Sequence, residues 1–254
     1  MNILRNDQYF RYGDEDFRVR TRRPGLAFQD FDREDYAFGP LSRFDHVHLA
    51  EDYLIKMHLH HNDEILSYIY KGEMLHRDTE DNKVLLTPDR LMVMNAGDEF
   101  HHEESTPDEG NEMLQILIRP EEEDLQPDVQ FWDREIKSDS KWNLIAGPRS
   151  MNPPMVVRNE VAVFDLHGKT DDEIRIPTEE AMTPWLYVMD GRIEVSGESL
   201  DKGDGITGSP DELTTVKLNE DTTLVLFLVN LDAPMTLKGN FSGHKRNSMK
   251  RYQK

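Results

Sequence analysis

The stretch "MHLHHNDEILSYIYKGEMLHRD", residues 57–78, decides how this chain is read. It holds four of the chain's ten histidines in a segment that otherwise has the texture of sheet. "LSYIY" and "EMLHRD" are two strand-like runs around a glycine-containing turn, the signature of paired antiparallel strands. Successive side chains on a strand point to opposite faces, so His58 and His60 project together while His61 projects away.

The same texture extends outward in both directions. "FDHVHLAED", "YLIKMHLHH", "KVLLTPDRLMVMNAGDEFHHEES" and "EMLQILIRP" are short alternating runs punctuated by Gly, Asp, Asn and Pro. Closely spaced strands of this kind predict an antiparallel sandwich or barrel. "EEEDLQPD", residues 121–128, interrupts the run with charge and a proline, and reads as a boundary with a short piece of helix. Beyond it "MVVRNEVAVFDLHG", "TTVKLNE" and "TTLVLFLVN" resume the pattern, and "WLYVMDGRIEVSG" rhymes with "LSYIYKGEMLHRD". One similarity at a large offset implies a duplicated β-domain rather than a solenoid. The chain is therefore expected to be all-β, two tandem barrels over residues 1–127 and 128–254 with few short helices. "GDGITG", residues 203–208, matches a glycine-rich dinucleotide fingerprint, but it runs into "SPDELTTVKL" rather than into a helix, so it reads as a turn.

Composition sets further bounds. With 254 residues the chain can bury a real core, and with no cysteine it has neither disulfides nor thiolate ligands. Any metal must be held by nitrogen and oxygen. A net charge of −20 argues against nucleic-acid binding by the body of the protein. No leader-like or membrane-spanning apolar run is visible, so a cytoplasmic protein with no membrane partner is expected. The basic tail, residues 238–254, reads as a solvated terminus, with a tether to an anionic partner as the alternative.

The histidines carry the chemistry. In "GDEFHHEES" His102 and Glu104 share one face, with His101 and Glu103 on the other. If this strand lies opposite the first inside a barrel, His58, His60, His102 and Glu104 converge as three imidazoles and one carboxylate. Such a set suits Fe(II), Mn, Ni, Cu or Zn and leaves positions for substrate, water or dioxygen. His46 and His48 are a further same-face pair for which no partner is evident from spacing, and His76 could stand behind the ligands. His61 reads as a bystander or support, and His167 and His244 carry no constellation.

At these residues the chain resembles the pirin family of the cupin superfamily. "HLHHNDEILSYIYKGEMLHRD" and "MNAGDEFHHEE" correspond to the family's His-x-His and His-x-Glu signatures, and "WLYVMDGRIEVSGESLDKGDG" to its second cupin domain. The resemblance implies two cupin jelly-roll barrels and places His58, His60, His102 and Glu104 on the metal-binding positions, with Glu104 also acting in proton transfer. Glu64, His76 and His101 are then candidate supports behind the ligands. The second half offers no ligands at "PTEEAMTPWLYVMDG", so one divalent metal per chain is expected, Fe(II) ahead of Zn, Mn, Ni or Cu. The family's basic loop is replaced by "AGDEF", which should favour cations and disfavour anionic substrates. The resemblance implies a dioxygenase of quercetin-type flavonols or related enediol aromatics. The alternatives are a non-catalytic metal-binding regulatory protein with a protein partner, and other small-molecule cupin chemistry such as isomerisation.

Overall fold

The computed structural model describes residues 1–246. Its strands are, in chain order, β1 (Asn2–Leu4), β2 (Phe10–Gly13), β3 (Phe17–Arg22), β4 (Leu41–Leu49), β5 (Tyr53–His60), β6 (Glu64–Gly72), β7 (Met74–Asp78), β8 (Lys83–Leu86), β9 (Arg90–Asn95), β10 (Phe100–Thr106), β11 (Asn111–Ile118) and β12 (Asp128–Asp133). The second half continues with β13 (Trp142–Ala146), β14 (Val161–Gly168), β15 (Glu173–Arg175), β16 (Thr183–Asp190), β17 (Arg192–Val195), β18 (Glu198–Asp201), β19 (Gly205–Thr207), β20 (Thr215–Leu218) and β21 (Thr222–Val229). Among the described residues the only helical pieces are 3-10 turns at Pro24–Phe28 and Arg149–Met151. The helix expected near residues 121–127 is absent. Glu121 and Asp124 would be like charges three residues apart on a helix, Asp124 has φ 56°, and Pro127 closes the segment. No helix among the described residues is long and apolar enough to cross a membrane.

Each half is a pair of antiparallel sheets. The first combines β5-β10-β7-β8 with β12-β9-β6-β11-β4-β3-β2, and the second combines β15-β20-β17-β18 with β1-β19-β16-β21-β14-β13. A division at residue 127 is crossed in both directions: β1 pairs with β19 in the second half, and β12 pairs with β9 in the first. Each barrel thus covers an otherwise open sheet edge with a strand from the other side of the linker.

The large sheets of the two halves pack face to face. Phe44 on β4 lies 4.9–5.4 Å, ring to ring, from Tyr187, Trp185 and Phe227 on β16 and β21. Strands buried on both faces read as continuous apolar runs, which is why "TTLVLFLV" alternates so little. On β6 the even positions Leu66 and Tyr68 face this shared core, and the odd positions Ile65 and Ile69 face the interior of the first barrel. The second barrel's own interior is an apolar cluster that includes Ile193, Leu200, Val216 and Leu226. The "GDGITG" stretch turns from β18 into β19: Gly203 takes φ +89°, and Gly205 lies against Trp185, where a Cβ would approach the indole to 2.1 Å.

After β21 the chain returns to the first barrel. The basic tail is only partly solvated where it is described: Lys238, Asn240 and residues 244–246 are exposed, but Ser242 is fully buried, and its carbonyl accepts from Ser42 Oγ at 2.6 Å and Arg119 Nε at 2.9 Å. Residues 247–254 of that tail lie outside the described residues.

Candidate metal centre

β10 lies between β5 and β7, with His102 paired to His58 on one side and to Asp78 on the other. Along β5 strict alternation would set Tyr53, Ile55 and Met57 inward and turn His58 and His60 out. The register shifts instead: His102 pairs with His58, but Glu104 pairs with Ile55. This β-bulge at Lys56–Met57, both exposed, changes the parity of the strand and carries His58 and His60 inside with Tyr53 and Ile55.

One ring nitrogen from each of His58, His60 and His102 lies within 4.8 Å of the other two. The rings are 4.5–5.0 Å apart, centre to centre. His60 and His102 are buried and His58 is half-buried, so the cluster meets solvent on the His58 side.

Hydrogen bonds fix how these rings present their nitrogens. His58 Nδ1 donates to the Lys56 carbonyl at 2.9 Å, inside the bulge, and His60 Nδ1 donates to Asp63 Oδ2 at 2.9 Å. His76 Nε2 donates to Asp78 Oδ2 at 2.9 Å, which leaves His76 Nδ1 to accept from His102 Nδ1 at 3.4 Å. A carbonyl and a carboxylate only accept, so each ligand ring carries its proton on Nδ1 and presents a bare Nε2. The Nε2 atoms of His60 and His102 are buried without any hydrogen-bond partner. Burial pushes the His58 and His76 pKa values down, and burial together with His60, His58 and His76 pushes that of His102 well down, so these rings are neutral at physiological pH. Three imidazole nitrogens within 4.8 Å of one another, two of them on rings whose Nε2 is buried without a partner, fit a divalent transition metal.

Glu104 shares the barrel interior but not the cluster. Its Oε1 lies 3.9 Å from His102 Nδ1, on the far side of that ring, and accepts from Gln115 Nε2 at 3.3 Å. It borders a void of about 20 Å³ among Tyr12, Phe17, Ile55 and Met113. Burial raises its carboxyl pKa to about 7.

Two of the candidate supports point elsewhere. Glu64, an even position on β6, faces the second half: it accepts from Asn95 Nδ2 at 2.8 Å and from the Arg158 amide at 2.7 Å, and burial raises its pKa to about 7. His101 faces outward, 3.6 Å from Glu99. His76 stands behind His102. His61 is half-exposed, with Nδ1 2.5 Å from the Asp98 carbonyl. Asp63, which strand alternation does not single out, is the carboxylate that orients His60, reaching back across a turn where Asn62 has φ 51°.

A second cluster joins His46 and His48 to Glu112, the partner that spacing did not reveal, because β4 and β11 bring it from far along the chain. Its groups are already engaged. His46 bonds Tyr187 OH at 2.8 Å and Glu112 Oε1 at 2.9 Å. Lys202 Nζ sits 2.7 Å from the same Oε1 and 3.0 Å from Asp190. Burial alone would raise the Glu112 pKa, but hydrogen bonds from His46 and Lys202 hold it at about 2. The ammonium stands where a cation would, and the cluster is a polar latch between the barrels.

Two antiparallel double-sheet barrels in tandem, with an inward histidine cluster that among the described residues is found in the first, define a bicupin. The chain belongs to the pirin family: the Pirin model matches residues 16–118, and the model described as quercetinase C-terminal cupin domain matches residues 144–229. Quercetin 2,3-dioxygenase of Escherichia coli K12 is 23% identical over 172 residues, spanning 67% of this chain and 74% of that protein. The crystal structure of the bacterial pirin YhhW from Escherichia coli in complex with nickel(II) superposes with a TM-score of 0.75 at 18% identity, covering 89% of this chain and 97% of that one. A quercetin 2,3-dioxygenase from Acinetobacter baumannii superposes with a TM-score of 0.74 at 17% identity, covering 93% and 91%.

Proposed function

We propose that this chain is a metal-dependent dioxygenase of quercetin-type flavonols or related enediol aromatics. In this reading His58, His60 and His102 hold one Fe(II), with Glu104 as fourth ligand and proton acceptor. The observation that carries it is the pair of buried Nε2 atoms on His60 and His102 that have no partner, while each ring's Nδ1 is engaged. Buried lone pairs left unanswered cost free energy that a cation would recover. The relatives named as quercetin 2,3-dioxygenases support the substrate class.

A metal held by His58, His60 and His102 would supply Lewis-acid and redox chemistry toward dioxygen. The chain's own residues do the rest. Asp63 and the Asp78–His76 pair hold two ligand rings in the binding tautomer. The half-exposed His58 side is the approach for substrate, and Tyr12, Phe17, Ile55 and Met113 wall the small void beside Glu104. Without metal, burial raises the Glu104 pKa to about 7, and a cation at the cluster would lower it, leaving a carboxylate that can accept a hydroxyl proton. Glu104 reaches the cluster only by turning past the His102 ring.

Oxygen uptake with quercetin after anaerobic Fe(II) loading tests the reading. Uptake should depend on metal and vanish in a His58→Ala, His102→Ala double variant that keeps its far-ultraviolet circular dichroism. Bound metal without uptake would overturn the dioxygenase in favour of a binding role, and failure to bind metal would overturn the site as well.

A further inference from the structure

The chain's second barrel ends at Val229, yet the following segment runs back and packs beside the histidine cluster of the first. Phe241 stands there, half-buried, its ring 4.7 Å from that of His60 and 6.4 Å from that of His58. Its placement is closely built. Asp63, whose Oδ2 holds His60, uses its other oxygen to accept from the amides of Ser242 at 2.7 Å and Phe241 at 3.3 Å. Asn240 pairs with the strand that carries the ligands: its amide donates to the His61 carbonyl at 3.0 Å, and its Nδ2 to the Leu59 carbonyl at 2.8 Å. Gly239 packs so tightly that a Cβ would come within 2.6 Å of Asp63 Oδ1.

We propose that Phe241 is a specificity-determining residue of the N-terminal metal centre, the wall against which a planar aromatic chelator lies. Phe241 packs on the edge of the first barrel's core and is only half-buried, so part of its ring remains available beside the cluster. One carboxylate fixes both a ligand imidazole and the backbone that carries the phenyl ring, so ring and cluster hold a constant spacing. Aromatic rings associate at centroid separations of 4.5–7 Å, the range Phe241 already spans to His60 and His58. A flat ring bound through two adjacent oxygens at the cluster would meet Phe241, whereas a small non-aromatic chelator would not reach it. The inference rests on the dioxygenase reading in taking the ligand to be a planar aromatic chelator.

The test is equilibrium binding to the nickel-loaded full chain of two probes, 4-nitrocatechol, followed by its visible spectrum, and acetohydroxamate, followed by competition. Phe241→Ala should keep one metal per chain, bind acetohydroxamate as the parent does, and bind 4-nitrocatechol about 2- to 10-fold more weakly, the worth of an aromatic pair. Phe241→Tyr should restore the aromatic probe. Equal 4-nitrocatechol affinity in Phe241→Ala overturns the inference and leaves the dioxygenase reading standing. Loss of metal, or equal weakening of both probes, overturns it as well by making Phe241 a support. A parent protein that binds nickel but not 4-nitrocatechol overturns the inference and the dioxygenase reading together.

Discussion

Replacing Asp63 by asparagine isolates the hydrogen bond that makes His60 a ligand. The carboxylate accepts on both sides, from His60 Nδ1 at 2.9 Å and from the Ser242 and Phe241 amides at 2.7 and 3.3 Å. An asparagine can accept through only one of its two heads. Two backbone amides have no alternative, but an imidazole can move its proton, so the amide oxygen stays with residues 241–242 and the NH2 faces His60. His60 Nδ1 must then accept, and its proton moves to Nε2, the atom the metal needs. Loss of such a carboxylate partner weakens metal binding about 10- to 100-fold, or roughly 1.4–2.7 kcal/mol. A competition titration of nickel against a chromophoric chelator reads this directly. Metal-free stability should scarcely change in Asp63→Asn. Asp63→Ala orphans both amides and should cost roughly 2 kcal/mol or more, lowering Tm by at least about 4 °C. Unchanged nickel affinity in Asp63→Asn would refute coordination through His60 Nε2.

Glu104→Gln tests the buried carboxyl. Its folded pKa, raised by burial to about 7 from 4.5, means that the folded state holds the proton more tightly than the unfolded chain. The metal-free protein therefore loses stability as pH rises from about 4.5 to about 7, by up to roughly 3 kcal/mol. The advantage of Glu104→Gln in calorimetry should be small at pH 4 and near its maximum at pH 8, and an advantage independent of pH would contradict the assignment. Glu112→Ala removes the shared acceptor of His46 and Lys202 and should lower the urea midpoint by an equivalent of about 1–3 kcal/mol. Metal content should stay at one per chain in that variant, and a fall from two to one would show that the second cluster binds metal.

Much of this was legible in the sequence, and the remainder has identifiable causes. Alternation and turn residues marked the strands, because each sheet buries one face and turns at glycine or asparagine. His58, His60 and His102 were legible as same-face residues. The bulge that makes the first pair compatible with Tyr53 and Ile55 leaves only a change of parity in "YLIKMHLH". Parity also separates Glu64 from the site: it shares the even positions of β6 with Leu66 and Tyr68, which face the other barrel. The union of His46, His48 and Glu112 depends on the register of β4 with β11, which local pattern does not encode. The docking of residues 239–244 rests largely on main-chain hydrogen bonds, to which a side-chain pattern is blind.

The most direct test of the account is an anomalous-diffraction map from crystals of the metal-loaded protein. The expected result is a single strong peak about 2 Å from the Nε2 atoms of His58, His60 and His102, with none between His46, His48 and Glu112. A peak confined to the second cluster, or none beside the three histidines under loading, would contradict it.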